Sequence, residues 1–138
     1  VPLQQAVVDD TAKRSEEGAD FPGEIPSDAR EGTAHNMLGE ALLDAAHHPT
    51  MLIRSTAIHG QGSVLRADLL ITLAGHSTPV SAEFKLDRSA DALTATGEFT
   101  LLQSQLGLKP FSIMLGALQV QDEIRVKFRF LARRASAN

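Results

Sequence analysis

Five stretches of the chain alternate apolar and polar residues with a period of two. In "MLIRSTAI" the residues Met51, Ile53, Ser55 and Ala57 fall on one side, and in "SVLRADLLITLAG" Leu65, Ala67, Leu69, Ile71 and Leu73 do so. "TPVSAEFKL" groups Val80, Ala82, Phe84 and Leu86 against Ser81, Glu83 and Lys85. "DALTATGEFTLL" groups Leu93, Ala95, Gly97, Phe99 and Leu101, and "DEIRVKFRFLA" sets Ile124, Val126, Phe128 and Phe130 against Arg125, Lys127 and Arg129. Successive side chains of a strand point to opposite sides, so this pattern predicts strands with one buried and one wet face. The breaks "HGQGS", "GHSTP" and "DRSAD" carry turn chemistry. An antiparallel meander over residues 50–132 follows, and it must close or be covered because open edges invite aggregation. The apolar stretch "LGLKPFSIMLGALQV" before the last strand is too greasy to lie free in water and is expected to pack over an end of the sheet.

Upstream the period changes. Met37, Leu38, Ala41, Leu42 and Ala45 recur at helical spacing, which predicts a helix over residues 33–48 with Thr33 as N-cap. Gly39 inside it would cost roughly 1 kcal/mol relative to Ala. Pro49 disfavours the helical conformation at His48 and ends the element. Residues 1–32 read as a strand end followed by an acidic loop punctuated by Gly18, Pro22, Gly23 and Pro26, with one short helical turn around residues 11–17. The whole of residues 1–138 reads as one domain.

Composition narrows the function. With 138 residues, such a domain buries about 68–70% of its unfolded surface and needs no staple. There is no cysteine, which excludes thiolate metal sites, thiol catalysis and disulfides. The net charge is −4, there is no Trp or Tyr and there are six Phe, so neither the basic footprint nor the stacking aromatics of a nucleic-acid binder is present. No apolar run approaches the ~18 residues of a transmembrane segment.

The histidines invite a catalytic or metal reading and do not sustain it. His47 and His48 are adjacent, so their side chains diverge, and neither belongs to an HExxH or HxxxH pair. A helix C-terminus already gives them a reason through its dipole. His59 and His76 fall in predicted turns. "GQGSVL" lacks the third glycine of a dinucleotide fingerprint, and in "GHSTP" Pro79 stands where a nucleophile elbow needs glycine. Glu98 and Asp68 fall on the wet faces, so the acid or base of a lipid isomerase or cyclase is missing from the interior. The chain is expected not to be an enzyme. Arg125, Lys127 and Arg129, followed by Arg133 and Arg134, form a basic outer stripe. Such a stripe is commonly a solvated strand face, and its sharper reading is a landing strip for anionic headgroups or a pyrophosphate.

The stretches "NMLGEALLDAAHHPTMLIRSTAI", "GSVLRADLLITLAGHSTPVSAEF" and "GEFTLLQSQLGLKPFSIMLGALQVQDEIRVKFRF" resemble the YceI-like family of bacterial lipid-binding proteins. The family's "yPt(i)xFxST" strand falls on residues 49–56 and its "LTLhGxTkPV" hairpin on 70–80. Its "RSDFGI"-like turn falls on 103–108 and its closing "xVxDEVxIxixxxA" strand on 120–132. At the helix start the family's "RDxHL" aligns with residues 33–37, where its Arg, Asp and His are absent. The turn reads Gln103-Ser104-Gln105-Leu106-Gly107-Leu108, without the family's charges and aromatic ring. The resemblance implies an all-β fold: an antiparallel, lipocalin-like up-and-down β-barrel with one short helix, holding a polyisoprenoid or similar long lipid. Dimers are common in the family, so a homodimer is an expectation, and a periplasmic location is favoured over a cytoplasmic one by resemblance only. The family's opening strands are not in this sequence, so the expected barrel lacks its N-terminal strands, unless a second chain closes it.

These readings converge on non-enzymatic binding and transport of a long apolar lipid, with no metal and no cofactor other than that ligand. The expected lining is Ile53, Leu69, Ile71, Phe84, Phe99, Leu101, Val126 and Phe128, with Met37, Leu42 and Phe111 covering an end. The alternative is a protein-interaction module with a packed core and no ligand.

Overall fold

The computed structural model describes residues 1–18, 24–113 and 118–135. Pro22 and Gly23 of the acidic loop, and residues 114–117 of the apolar stretch, lie outside the described residues. The chain divides into two compact units, residues 1–51 and 52–138.

In the first unit, helix α1 (Thr11–Glu16) is the predicted short turn, capped by Asp10, whose carboxylate accepts the Lys13 N–H at 2.9 Å. Helix α2 spans Ser27–Leu38, not residues 33–48. Pro26 pre-sets the entry and Asp28 suits the positive end of the helix dipole. Thr33 is therefore interior, its hydroxyl donating to the Ala29 carbonyl at 3.0 Å, and it does not cap. Gly39 ends the helix with extended backbone. The chain then winds through turns in which the Asp44 N–H reaches the Gly39 carbonyl and the Ala45 N–H reaches that of Leu38. The helical period continued past Gly39 because these turns bury Leu43 and Ala45 without continuing the helix. The first residues form a single bridge, Pro2 to Thr50, and a 3-10 turn at Leu3–Gln5 in place of the expected strand end.

The second unit is the antiparallel sheet. Strands β1 (Leu52–His59), β2 (Val64–Leu73), β3 (His76–Arg88), β4 (Ala92–Leu102) and β7 (Glu123–Arg133) lie in the order β1-β2-β3-β4-β7. The apolar stretch contributes a short pair, β5 (Ser112–Ile113) with β6 (Leu118–Gln119). All five predicted strands are present, but the expected barrel is not closed. β1 and β7 do not pair, and a barrel whose interior is just wide enough for side chains takes about eight strands.

Two details set the shape of the sheet. β2 turns into β3 through Ala74 and Gly75, both at positive φ (47° and 78°), as in the two-residue hairpin turn that follows strand twist. His76 is therefore in a strand and not in a turn. β3 pairs with β4 only from Phe84 to Arg88, so Pro79, which has no N–H to give, sits where no ladder to β4 is made.

Candidate functional site

Register places the apolar residues of all five strands on one face. Ile53 stands opposite Ile71, Leu69 opposite Val80, Phe84 opposite Gly97, Phe99 opposite Val126, and Leu101 opposite Ile124. Gly97 is also opposite Phe128 on its other side, so it lies between two aromatic residues. A β-carbon at Gly97 would sit 2.6 Å from the Phe128 ring and 2.6 Å from the Glu83 carbonyl oxygen. The glycine is what lets the Phe128 ring lie down on β4. Around it Phe128 meets Phe99 at 6.0 Å and Phe130 at 5.3 Å between ring centroids, both in tilted geometry.

The predicted lining residues differ in cover. Ile71 and Leu101 are buried; Leu69, Phe84, Phe99, Val126 and Phe128 are half-buried; Ile53 is at the edge of exposure. Phe111 precedes β5 and is half-buried. Met37 in α2 and Leu42 in the following turn are half-buried in the first unit. Phe130, grouped with this face by its alternation, is 54% exposed. Ala57 does not share the face. A bulge between Ser55 and Ala57 puts Ala57 opposite Asp68 and brings Ile58 opposite Ala67.

One end of the face is closed by the turn at residues 103–108. Its 3-10 segment, Ser104–Leu106, packs against β3 and β4. The Thr78 hydroxyl donates to the Gln105 carbonyl at 2.8 Å, where β3 makes no ladder to β4. Gln103 is 5% exposed and donates through Nε2 to the Gln121 carbonyl at 2.7 Å. Asp122 accepts from the Ser104 hydroxyl and, at 2.8 Å, from its N–H, and these bonds hold its carboxyl below the usual range. Gly107 is at positive φ, and a β-carbon there would come within 2.9 Å of the His76 ring. Leu106 and Leu108 are buried. Sequence reasoning read this turn through what it lacks; the apolar pair flanking Gly107 was the available sign that it plugs the sheet.

The outer face holds the polar groups. The His59 ring donates to Asp68 at 2.7 Å and the Ser81 hydroxyl to the same carboxylate at 2.9 Å, and these two bonds lower the Asp68 pKa. Asp68 thus sits between the other two. Serine has no bond to the imidazole, so this exposed trio lacks the nucleophile–base contact of a hydrolase. Glu98 is also outside, 3.4 Å from Arg125. His47 bonds Asp44 at 2.8 Å, which raises the imidazole pKa, so its partner is this carboxylate and not the helix end, which lies at Leu38. Among the described residues no group of three or more His, Asp or Glu is placed to hold a metal ion, and no helix is long and apolar enough to cross a membrane.

Comparison with known proteins agrees with this arrangement. The family model described as "YceI-like domain" matches residues 11–132. No curated protein sequence matches the chain. The crystal structure of Burkholderia cenocepacia BcnA is similar with a TM-score of 0.65 at 19% identity, over 74% of this chain and 64% of that one. A Campylobacter jejuni YCEI protein is similar with a TM-score of 0.64 at 11% identity, over 77% of this chain and 64% of its own. At these identities the likeness is one of fold, and this chain spans 64% of the length of either structure.

Proposed function

The chain belongs to the YceI-like domain family, and from that premise we propose that it is a non-enzymatic carrier of a long apolar lipid of polyisoprenoid type. The observation that carries this reading is the aromatic face around Gly97. Phe84, Phe99 and Phe128 are only half-covered and Phe130 is exposed, so they retain apolar surface that a ligand can take from water. Ile71 and Leu101, already buried, serve as the floor beneath it. Burial is worth about 0.8 kcal/mol per CH₂, so roughly fifteen carbons contribute about 12 kcal/mol against the several kcal/mol of freedom lost on binding. No covalent step is needed, and the carboxylates Asp68 and Glu98 are on the outer face. A second reading, a protein-interaction module without ligand, is supported by the outer sides of β1 and β7, on which no further strand pairs among the described residues.

Native mass spectrometry of the purified protein, with denaturing extraction of the same sample, separates the two. The expected result is a discrete added mass released as a polyprenyl-type lipid, and its loss in a folded Phe99→Arg variant. Stoichiometric lipid retained by that variant would overturn the assignment of the face. A clean apo mass, with no uptake from a lipid mixture, would favour the interaction module.

A further inference from the structure

Four arginines lie on the two sides of the sheet towards its end away from the 103–108 turn. Arg88 shares the face's parity, opposite Leu93. Arg129 and Arg133 project from the other side of β7, opposite Thr96 and Ala92. Arg134 follows, its N–H donating to the Asp91 carbonyl at 2.9 Å. All four are exposed, and among the described residues none lies within ion-pair distance of a carboxylate. Large apolar side chains are left in water on both sides of this end: Phe130 at 54% exposure and Leu93 at 44% on the apolar face, and Leu131 at 50% on the other, beside Arg129 and Arg133. A shallow groove of about 330 Å³ runs between residues 89–93 and 132–134. Of the nearby acids, Asp87 is 3.1 Å from the Lys85 ammonium, and Asp91 lies in the groove.

This combination asks for a partner that is apolar where Phe130 and Leu131 enter and anionic where the guanidinium groups lie. A bilayer with anionic headgroups has those two layers in that order. A second copy of this end does not fit, because it would bring the same four arginines together. Resting on the lipid-carrier reading, we propose that this end docks on an anionic membrane surface. Phe130 and Leu131 enter the boundary between headgroups and acyl chains, and Arg88, Arg129, Arg133 and Arg134 hold lipid phosphates. The open end of the apolar face then abuts the membrane that supplies or receives its lipid.

Flotation of the 138-residue chain with phosphatidylcholine vesicles, with or without phosphatidylglycerol, tests this. The expected result is flotation only with the anionic vesicles. It should weaken with salt, because the screening length falls from about 10 Å at 0.1 M to about 3 Å at 1 M. Arg133→Gln with Arg134→Gln should lower partitioning about thirtyfold, or about fivefold per arginine. Leu131→Ser should lower it through the apolar contact alone. Absence of flotation, equal flotation with both vesicle types, or wild-type flotation of the arginine variant would each overturn the proposal. The vesicles contain no isoprenoid, so the two readings fail separately. Lipid uptake without flotation removes docking and leaves the carrier standing; flotation without uptake does the reverse.

Discussion

Where β2 turns into β3, Ile71, Leu73, Leu101, Leu106 and Leu108 are each 8% exposed or less; at the other end of the same apolar face Leu93 is 44% exposed and Phe130 54%. Both ends come from the same alternating strands, and both carry large apolar residues. What differs is the cover. The 103–108 turn folds onto β3 and β4 and is pinned by Thr78, Gln103 and Asp122. The far hairpin, by contrast, is closed by bonds between Ser89 and Ala92 and by the Arg134 N–H on the Asp91 carbonyl, with no turn folded over it among the described residues. Alternation thus tells which side chains share a face, and says little about how dry each part of that face is. The closed end supplies stability, and the open end holds the apolar surface that the carrier and docking proposals use.

Truncation should separate the ends most sharply. Ile71→Ala is expected to cost about 2–5 kcal/mol of unfolding free energy in urea titrations, since the cavity adds to the lost transfer energy. A loss below about 0.5 kcal/mol would mean that the closed end is no better packed than the open one. Between the ends, Gly97→Ala should cost about 1–3 kcal/mol, because its new methyl group meets both the Phe128 ring and the Glu83 carbonyl. Phe128→Leu in the same chain should recover only part, since the carbonyl remains. Full recovery would place the whole conflict in the ring.

The pin at the closed end should also be visible in pH. Asp122 has its pKa lowered in the folded state by Ser104, so folded protein binds fewer protons there than unfolded protein. Its contribution is complete above the unfolded carboxylate pKa and is lost as pH falls through the folded one, a window from about pH 5 downward. Asp122→Asn should therefore lower stability near neutrality and reduce its fall in acid, read as urea midpoints across that range. An unchanged acid profile would mean that the bonds to Ser104 do not act on stability. The smallest effect is expected at the open end, where Leu131→Ser should change stability by no more than about 0.5 kcal/mol. A larger loss in the same urea titration would show that Leu131 is packed after all.

Much of this was legible in advance, and the limits fall at particular residues. The five strands and the shared face of Leu69, Ile71, Phe84, Phe99, Leu101, Val126 and Phe128 were readable from alternation. The bulge after Ser55 was not, since one extra residue reverses parity without changing composition. The helix was placed too late because Leu42 and Ala45 kept its period beyond Gly39, where the chain buries Leu43 and Ala45 in turns instead. The role of Gly97 was hidden because a glycine in a strand does not say what lies against it.

The sequence by itself determined the strands, their turns and the sidedness of their residues, because a period of two is a local property of extended backbone. Only the tertiary structure decided that β1 and β7 stay apart, that the 103–108 turn shuts one end of the face, and that Phe128 lies across Gly97. Those outcomes depend on which distant segments meet, and such pairing is chosen by the packing of the whole sheet and not by any one stretch of it.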